Sequence, residues 1–263
     1  MESQNQNTRH SVTLLWSGGW DGTFRLLQLC QNDITIQPVY VTDSDRSSTE
    51  IEKQRIDEIL KICRERFPAE IRDVTFYDKN WILETCKDEQ ISSSFRHLRK
   101  TYNLGSQYEW FALLTRYLDQ KMECGVVHQY HGKVEEAIDH EGTMELIQGD
   151  FLPGRYHVLP KEDQTSAYDV FGNLIFPIIR LTKKDEENIA RDNGWMDIMN
   201  LSWFCHTPIH GEPCGVCGPC EDAMNTGMEW RLPAAAKRRY KYRKLIRFCK
   251  RIKNRILRTR KTV

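Results

Sequence analysis

The chain has 263 residues, 40% of them hydrophobic and 29% charged, which is enough apolar content for one sizeable core or two modest ones. Its net charge of +1 conceals an asymmetry: residues 237–263 hold 14 Lys or Arg and no acid, leaving 24 basic against 37 acidic residues elsewhere. No apolar run approaches the roughly 18 residues that span a bilayer, and residues 1–10 lack the apolar core of a secretory signal, which disfavours the membrane and secreted classes and sets a cytoplasmic expectation.

Taken in chain order, the elements alternate. Residues 11–16 read as a short apolar strand, residues 23–31 as a helix with Phe24, Leu27 and Cys30 on one side, and residues 34–41 as a second strand. Residues 49–67 repeat Ile51, Ile56, Ile59, Leu60 and Cys63 at helical spacing; residues 74–77 read as a strand, 108–122 as an amphipathic helix and 125–130 as a further strand. Residues 141–168 have weak periodicity and are expected to form a partly mobile excursion. Strand character resumes over 173–179, and a helix over 184–193 closes at Gly194. Helices between successive strands imply an α/β fold: a Rossmann-like parallel sheet with helices on both faces, binding its ligand at the carboxyl ends of the strands.

The first strand runs into "SGGWDGTF", residues 17–24. Gly18, Gly19 and Gly22 allow a tight turn that presents backbone N–H groups, Ser17 and Thr23 add hydroxyls, and the following helix adds its positive end. Such a loop suits a pyrophosphate. It has neither the Gly-Lys-Ser/Thr ending of P-loop proteins nor the spacing of dinucleotide folds. It resembles the SGGxDS loop of the PP-loop ATP pyrophosphatases, and "FPIIRLTK", residues 176–183, resembles that superfamily's Pro-Leu-x-x-Leu-Thr/Ser-Lys segment, which implies that Lys183 lies near the nucleotide phosphates. The resemblance implies ATP and Mg2+ as cofactors, with Asp21 holding or orienting the metal. The helix N-cap is the plain alternative for Asp21, and a solvated charge for Lys183. Asp43 and Asp45, after the second strand, are expected to be loop residues.

Five of the nine cysteines are scattered, but Cys205, Cys214, Cys217 and Cys220 fall within sixteen positions, in "CHTPIHGEPCGVCGPC". Four thiolates at this spacing complete a tetrahedral Zn2+ shell, with an iron–sulfur cluster as the alternative on the same ligands, and Gly215 and Gly218 allow tight knuckles whose amides face sulfur. The pattern resembles the zinc-binding 7-cyano-7-deazaguanine synthases over residues 12–223. That resemblance implies ATP-dependent adenylation of a carboxylate or amide with pyrophosphate release, then ammonia-dependent amide or nitrile formation, which is the work of a C–N ligase. Trp203 is then expected to wall a flat substrate, a small-molecule carboxylate or amide that need not be the deazaguanine. His128, His131, His206 and His210 are expected to be ordinary polar residues, with acid–base groups or ligands as the alternative reading.

The departures are specific. Gly22 stands where the loop's second serine is expected, with Thr23 one position on as its substitute. Ser106 and Gln107 stand at the Arg and Asn of a Pro-x-Arg-Asn segment, "HQYHGKVEEAIDHE" carries no Asp-Cys-Arg segment, and Glu221 replaces a basic residue after the last cysteine. Alternative readings are a tRNA-directed PP-loop enzyme, for which Cys86 or Cys124 would have to be a reactive thiol, and a non-catalytic nucleotide-binding module. The expected organisation is a nucleotide-binding domain over 1–200, a zinc-binding region over 201–236 and a basic tail over 237–263. In the tail, Tyr242, Leu245, Ile246, Cys249, Ile252 and Ile256 recur at helical spacing among the cations. RNA or an anionic membrane is the expected partner of this tail, with packing of its apolar stripe on the domain as the alternative, and the chain is expected to form a homo-oligomer.

Overall fold

A short β-rich run whose residues from Val12 onward are all buried belongs in the middle of a parallel sheet. In the computed structural model, which describes residues 9–129 and 132–246, that run is β1 (Ser11–Leu15). It is followed by α1 (Trp20–Cys30), β2 (Thr35–Thr42), α2 (Thr49–Arg66), β3 (Glu70–Ile71), β4 (Thr75–Asp78), α3 (Lys79–Thr85), α4 (Glu89–Tyr102) and α5 (Gln107–Tyr117). Next come β5 (Met122–Cys124), α6 (Lys133–Glu141), β6 (Thr143–Leu146), β7 (Tyr156–Leu159), α7 (Ser166–Phe171), β8 (Leu174–Phe176), α8 (Lys183–Asp192) and α9 (Met196–Met199). The chain divides into two units, residues 1–45 with 52–203 and residues 46–51 with 204–263; the second contains α10 (Gly218–Asn225), a 3-10 turn (Glu229–Arg231) and α11 (Ala234–Lys241).

The first unit holds an eight-stranded sheet in the order β3-β2-β1-β5-β8-β7-β6, with β4 also paired to β2. From β3 to β8 every pairing is parallel, Val12 opposing Ile36 and Leu15 opposing Cys124. The β6–β7 and β7–β8 pairings are antiparallel, so the expected all-parallel sheet is corrected to a mixed one. Residues 143–159, part of the expected excursion, supply these strands. Three of the four residues of β6 are exposed, so no face of that strand leaves an apolar alternation in the sequence.

Three boundaries shift for local reasons. Helix α1 starts at Trp20 rather than Thr23, because extended Gly19 caps it and its carbonyl takes the Thr23 N–H at 2.9 Å. Helix α5 ends at Tyr117, just before Asp119 adopts a left-handed φ of 46°. Strand β5 then occupies Met122–Cys124 instead of 125–130, ending where Gly125 meets α1. Helix α4, which periodicity had not singled out, is capped by the Asp88 side chain on the Ile91 N–H and buries Ile91, Phe95 and Leu98 on one face.

Helices α4, α5 and α7 pack with Leu15, Val39, Val41 and Phe176 in the main apolar cluster, while Phe24 of α1 meets Trp195 edge-on, 6.2 Å between centroids, in front of α9. Under α1 lies a buried charge network. Arg25 clasps Glu123 of β5 through two bonds of 2.7 and 2.9 Å, and Arg155 reaches the same carboxylate at 2.8 Å while holding Asp150. Glu123 is fully buried, so the fork of Arg25 both neutralises it and locks the rotation of α1 on the sheet.

Candidate nucleotide loop and metal centre

The turn from β1 into α1 is shaped by close approach. Gly18 has φ 72°, a left-handed conformation that L side chains rarely adopt. A Cβ at Gly125 would stand 3.0 Å from the Gly22 nitrogen and 3.1 Å from the Asp21 carbonyl carbon, so the backbone leaving β5 lies directly against the first turn of α1. A Cβ at Gly22 would stand 2.7 Å from the Trp16 ring. The indole thus fills the space that the expected serine would need, and its N–H donates to Thr23 Oγ1 at 3.1 Å. Thr23 is fully buried and serves this junction, not the open side of the loop where Ser17 is exposed.

The two distant motifs meet here. Lys183, the first residue of α8, contacts the Asp21 carboxylate, both side chains being partly exposed. Helix α8 is held in register by a reciprocal capping box, with the Thr182 hydroxyl accepting the Asp185 N–H at 3.2 Å and the Asp185 carboxylate accepting the Thr182 N–H at 2.8 Å. One turn along, Glu186 stands fully buried with an oxygen 3.8 Å from Lys183 Nζ. Burial pushes its carboxyl up to about 7, against the Lys183 charge and a hydrogen bond from Trp20, which hold it down. Its position three residues after Lys183, on the same helical face, is the sequence signal for this pairing. Trp203 is half-buried beside the loop, its backbone N–H donating to the Gly18 carbonyl at 2.8 Å.

At the ends of β2 and β4, Lys79 binds Asp43 at 2.6 Å and also Asp45, and the Asp43 hydrogen bond is the chief cause of its raised pKa. Asp43 and Asp45 are therefore spent on neutralising a lysine, in keeping with a loop role.

In the second unit, the four predicted cysteines lie with their sulfurs within 4.8 Å of one another, Cys214 to Cys220 at 4.0 Å and Cys205 to Cys217 at 3.8 Å. A tetrahedron of sulfurs around one zinc has edges of about 3.8 Å, given Zn–S bonds of about 2.3 Å. Backbone amides point at the sulfurs: Cys214 N–H to Cys205, and Val216 and Cys217 N–H to Cys214. These are donors that thiolates want. The cluster can therefore hold a metal ion. Gly215 makes the knuckle, since at φ 78° its Cβ would fall 2.1 Å from the Ala236 carbonyl of α11. From the expected tail, Arg239 donates to the Cys214 and Pro213 carbonyls, and Arg243 pairs with Glu221 at 2.7 Å. Tyr242 and Leu245 are exposed, whereas His131 and the stripe residues Cys249, Ile252 and Ile256 lie outside the described residues.

No protein-family model matches this sequence, and comparison with curated proteins gives no significant match. The fold and sites define an α/β protein with a mostly parallel sheet and a four-cysteine cluster suited to a metal such as zinc. Among the described residues no helix is long and apolar enough to cross a membrane.

Two outcomes are expected. Gly22→Ser should lower stability in urea by about 1–3 kcal/mol through overpacking against Trp16, and should cost less in a Trp16→Ala background; equal costs would remove the clash as the cause. Because the Glu186 pKa is raised from 4.5 to about 7, the native state binds more protons than the unfolded one between these values. Stability from this group therefore falls as pH rises through that window. The advantage of Glu186→Gln over the native chain should grow from about pH 4.5 to 7 and level off above, as read from unfolding midpoints.

Proposed function

We propose that the protein is an ATP-dependent C–N ligase that adenylates a carboxylate or amide oxygen, releases pyrophosphate and passes the activated group to ammonia. The observation that carries this reading is the meeting of Asp21 and Lys183, one from each motif of the PP-loop resemblance, at the carboxyl end of β1. A phosphate-binding site needs amide donors, a cation and a carboxylate for magnesium within one small volume, and these residues supply the last two beside a glycine turn. The exposed Ser17 and the amides of Gly18 and Gly19 would take phosphate oxygens, and α1 would contribute its positive N-terminal end. When bound, Mg2+ supplies Lewis-acid stabilisation of the departing pyrophosphate. Asp21 is the residue that would hold it, and Lys183 would neutralise phosphate charge.

The four-cysteine cluster is read as structural Zn2+, since a complete shell of four thiolates leaves no open position for catalysis. A thiol-dependent tRNA-directed mechanism is less well supported. Both cysteines it would require are buried; burial pushes Cys124 up to about 12 and raises Cys86 as well, the opposite of what a nucleophilic thiolate needs.

The full chain with ATP, Mg2+ and 7-carboxy-7-deazaguanine should yield AMP and pyrophosphate, and Asp21→Asn should abolish this while leaving the circular dichroism spectrum unchanged. ADP as the only nucleotide product would sink the proposal, and an active Asp21→Asn variant would remove that carboxylate from the site. Metal analysis should find one zinc per chain. Cys217→Ser should lose the metal and expose residues 204–246 to proteolysis, and iron in place of zinc would count against the assignment.

A further inference from the structure

The segment that leaves β5 carries a histidine whose backbone is tied to the strand-end region of the proposed site. Gly125 lies against the Asp21–Gly22 backbone, and three residues later the His128 N–H donates to the Leu181 carbonyl at 2.7 Å, two residues before Lys183. This stretch therefore runs from the Asp21 side of the pair to the Lys183 side. The His128 ring is half-exposed, and its Nδ1 stands 2.9 and 3.0 Å from the two oxygens of Glu135. Glu135 is itself buried in the first turn of α6 and takes the Gln129 N–H at 3.3 Å, so its carboxylate is fixed from two directions. A Cβ at Gly132 would fall 2.9 Å from Glu135 Oε2, so the glycine that begins this helix leaves the carboxylate its room. A carboxylate on Nδ1 selects the tautomer with the proton there and turns Nε2 into an acceptor. Nε2 has no partner among the described residues. His97 is held by Glu141 in a similar way, but it sits on α4 and that carboxylate also takes the Tyr102 hydroxyl, with no link to the Asp21–Lys183 pair among the described residues.

We infer that His128 is the general base of the amine-transfer step, that Glu135 is its positioning residue, and that the second substrate is a small neutral amine, ammonia in the reaction proposed above. The inference rests on the adenylation reading. In the step, the amine nitrogen forms a bond to the activated carbon. The bond from that carbon to the AMP oxygen breaks, AMP leaves with the electron pair, and one N–H proton passes to His128 Nε2. The site's other ionisable groups are less suited: Asp21 is paired with Lys183, and Glu186 is buried behind them.

The test separates the half-reactions in the full chain. With ATP, Mg2+ and 7-carboxy-7-deazaguanine, ATP–pyrophosphate exchange reports adenylation, and amide release on adding ammonium chloride reports amine transfer. His128→Ala, and His128→Gln as a bulkier control, should keep exchange within about twofold and lose about 10²–10⁴ in the ammonia step, partly restored by added imidazole. Glu135→Gln should lower kcat for that step with KM for ATP unchanged, and Glu135→Asp should recover part of it. Loss of both half-reactions together, an undiminished ammonia step, or no imidazole rescue overturns the assignment. A separate arm follows the His128 ring proton by NMR as α,β-methylene-ATP and Mg2+ are added. Binding without a shift at His128 overturns its placement in the site, whereas no binding of the analogue overturns the nucleotide reading itself and this inference with it.

Discussion

The first turn of α1 lies backbone to backbone against the end of β5, and most of the first unit follows from that approach. It requires Gly125 on one side and leaves no room for a side chain at Gly22 on the other, where the Trp16 indole has taken the space. The helix is thereby seated with Asp21 on its open side and Thr23 and Phe24 turned inward, both fully buried. The same approach ends β5 at Cys124 and sends the chain onward past Leu181, which is how residues from three separate segments come to share one strand-end region. Parallel sheets gather ligand-binding groups at their carboxyl ends for this reason, because each strand must turn there into a helix.

Charge is handled by pairing at each level of burial. Glu123, fully enclosed, has two arginines, and removing either partner from such a network costs several kcal/mol because the other charge stays buried. Lys79 gathers Asp43 and Asp45 nearer the surface. Lys183 lies between a partly exposed carboxylate, Asp21, and a buried one, Glu186, so a single ammonium is shared by two acids of different environment. Burial separates these two carboxylates: Asp21 stays partly exposed while Glu186 is fully enclosed beside the lysine.

The second unit has another basis for its order. Its interior combines cysteine sulfurs, backbone amides and a glycine pressed on Ala236 with a few apolar side chains such as Met228 and Leu232, and its helices are short enough to be marginal alone. Four thiols this close gain little from one another without a shared cation, and a metal that binds only the folded arrangement adds its binding free energy to stability. Arg239 of α11 completes the unit by closing on both the Cys214 and the Pro213 carbonyls. Part of the basic segment therefore belongs to the cysteine unit, and its positive charge is partly committed to internal bonds.

What the sequence determined by itself is what depends on local pattern. The apolar run of β1, the glycine turn after it, the helical spacing of α2 and α8, and the spacing of Cys205, Cys214, Cys217 and Cys220 are all set by neighbours along the chain, so they could be read from it. The meeting of Asp21 with Lys183 was anticipated only through resemblance. The antiparallel β6–β7 addition, the role of Trp16 in displacing a serine, the burial of Thr23, the Glu186 carboxyl behind Lys183 and the His128–Glu135 pair were decided by tertiary structure. Each depends on atoms brought together across a sheet or between helices, where what fills a space or perturbs a charge comes from a segment far away in the chain, and no spacing along one segment encodes it.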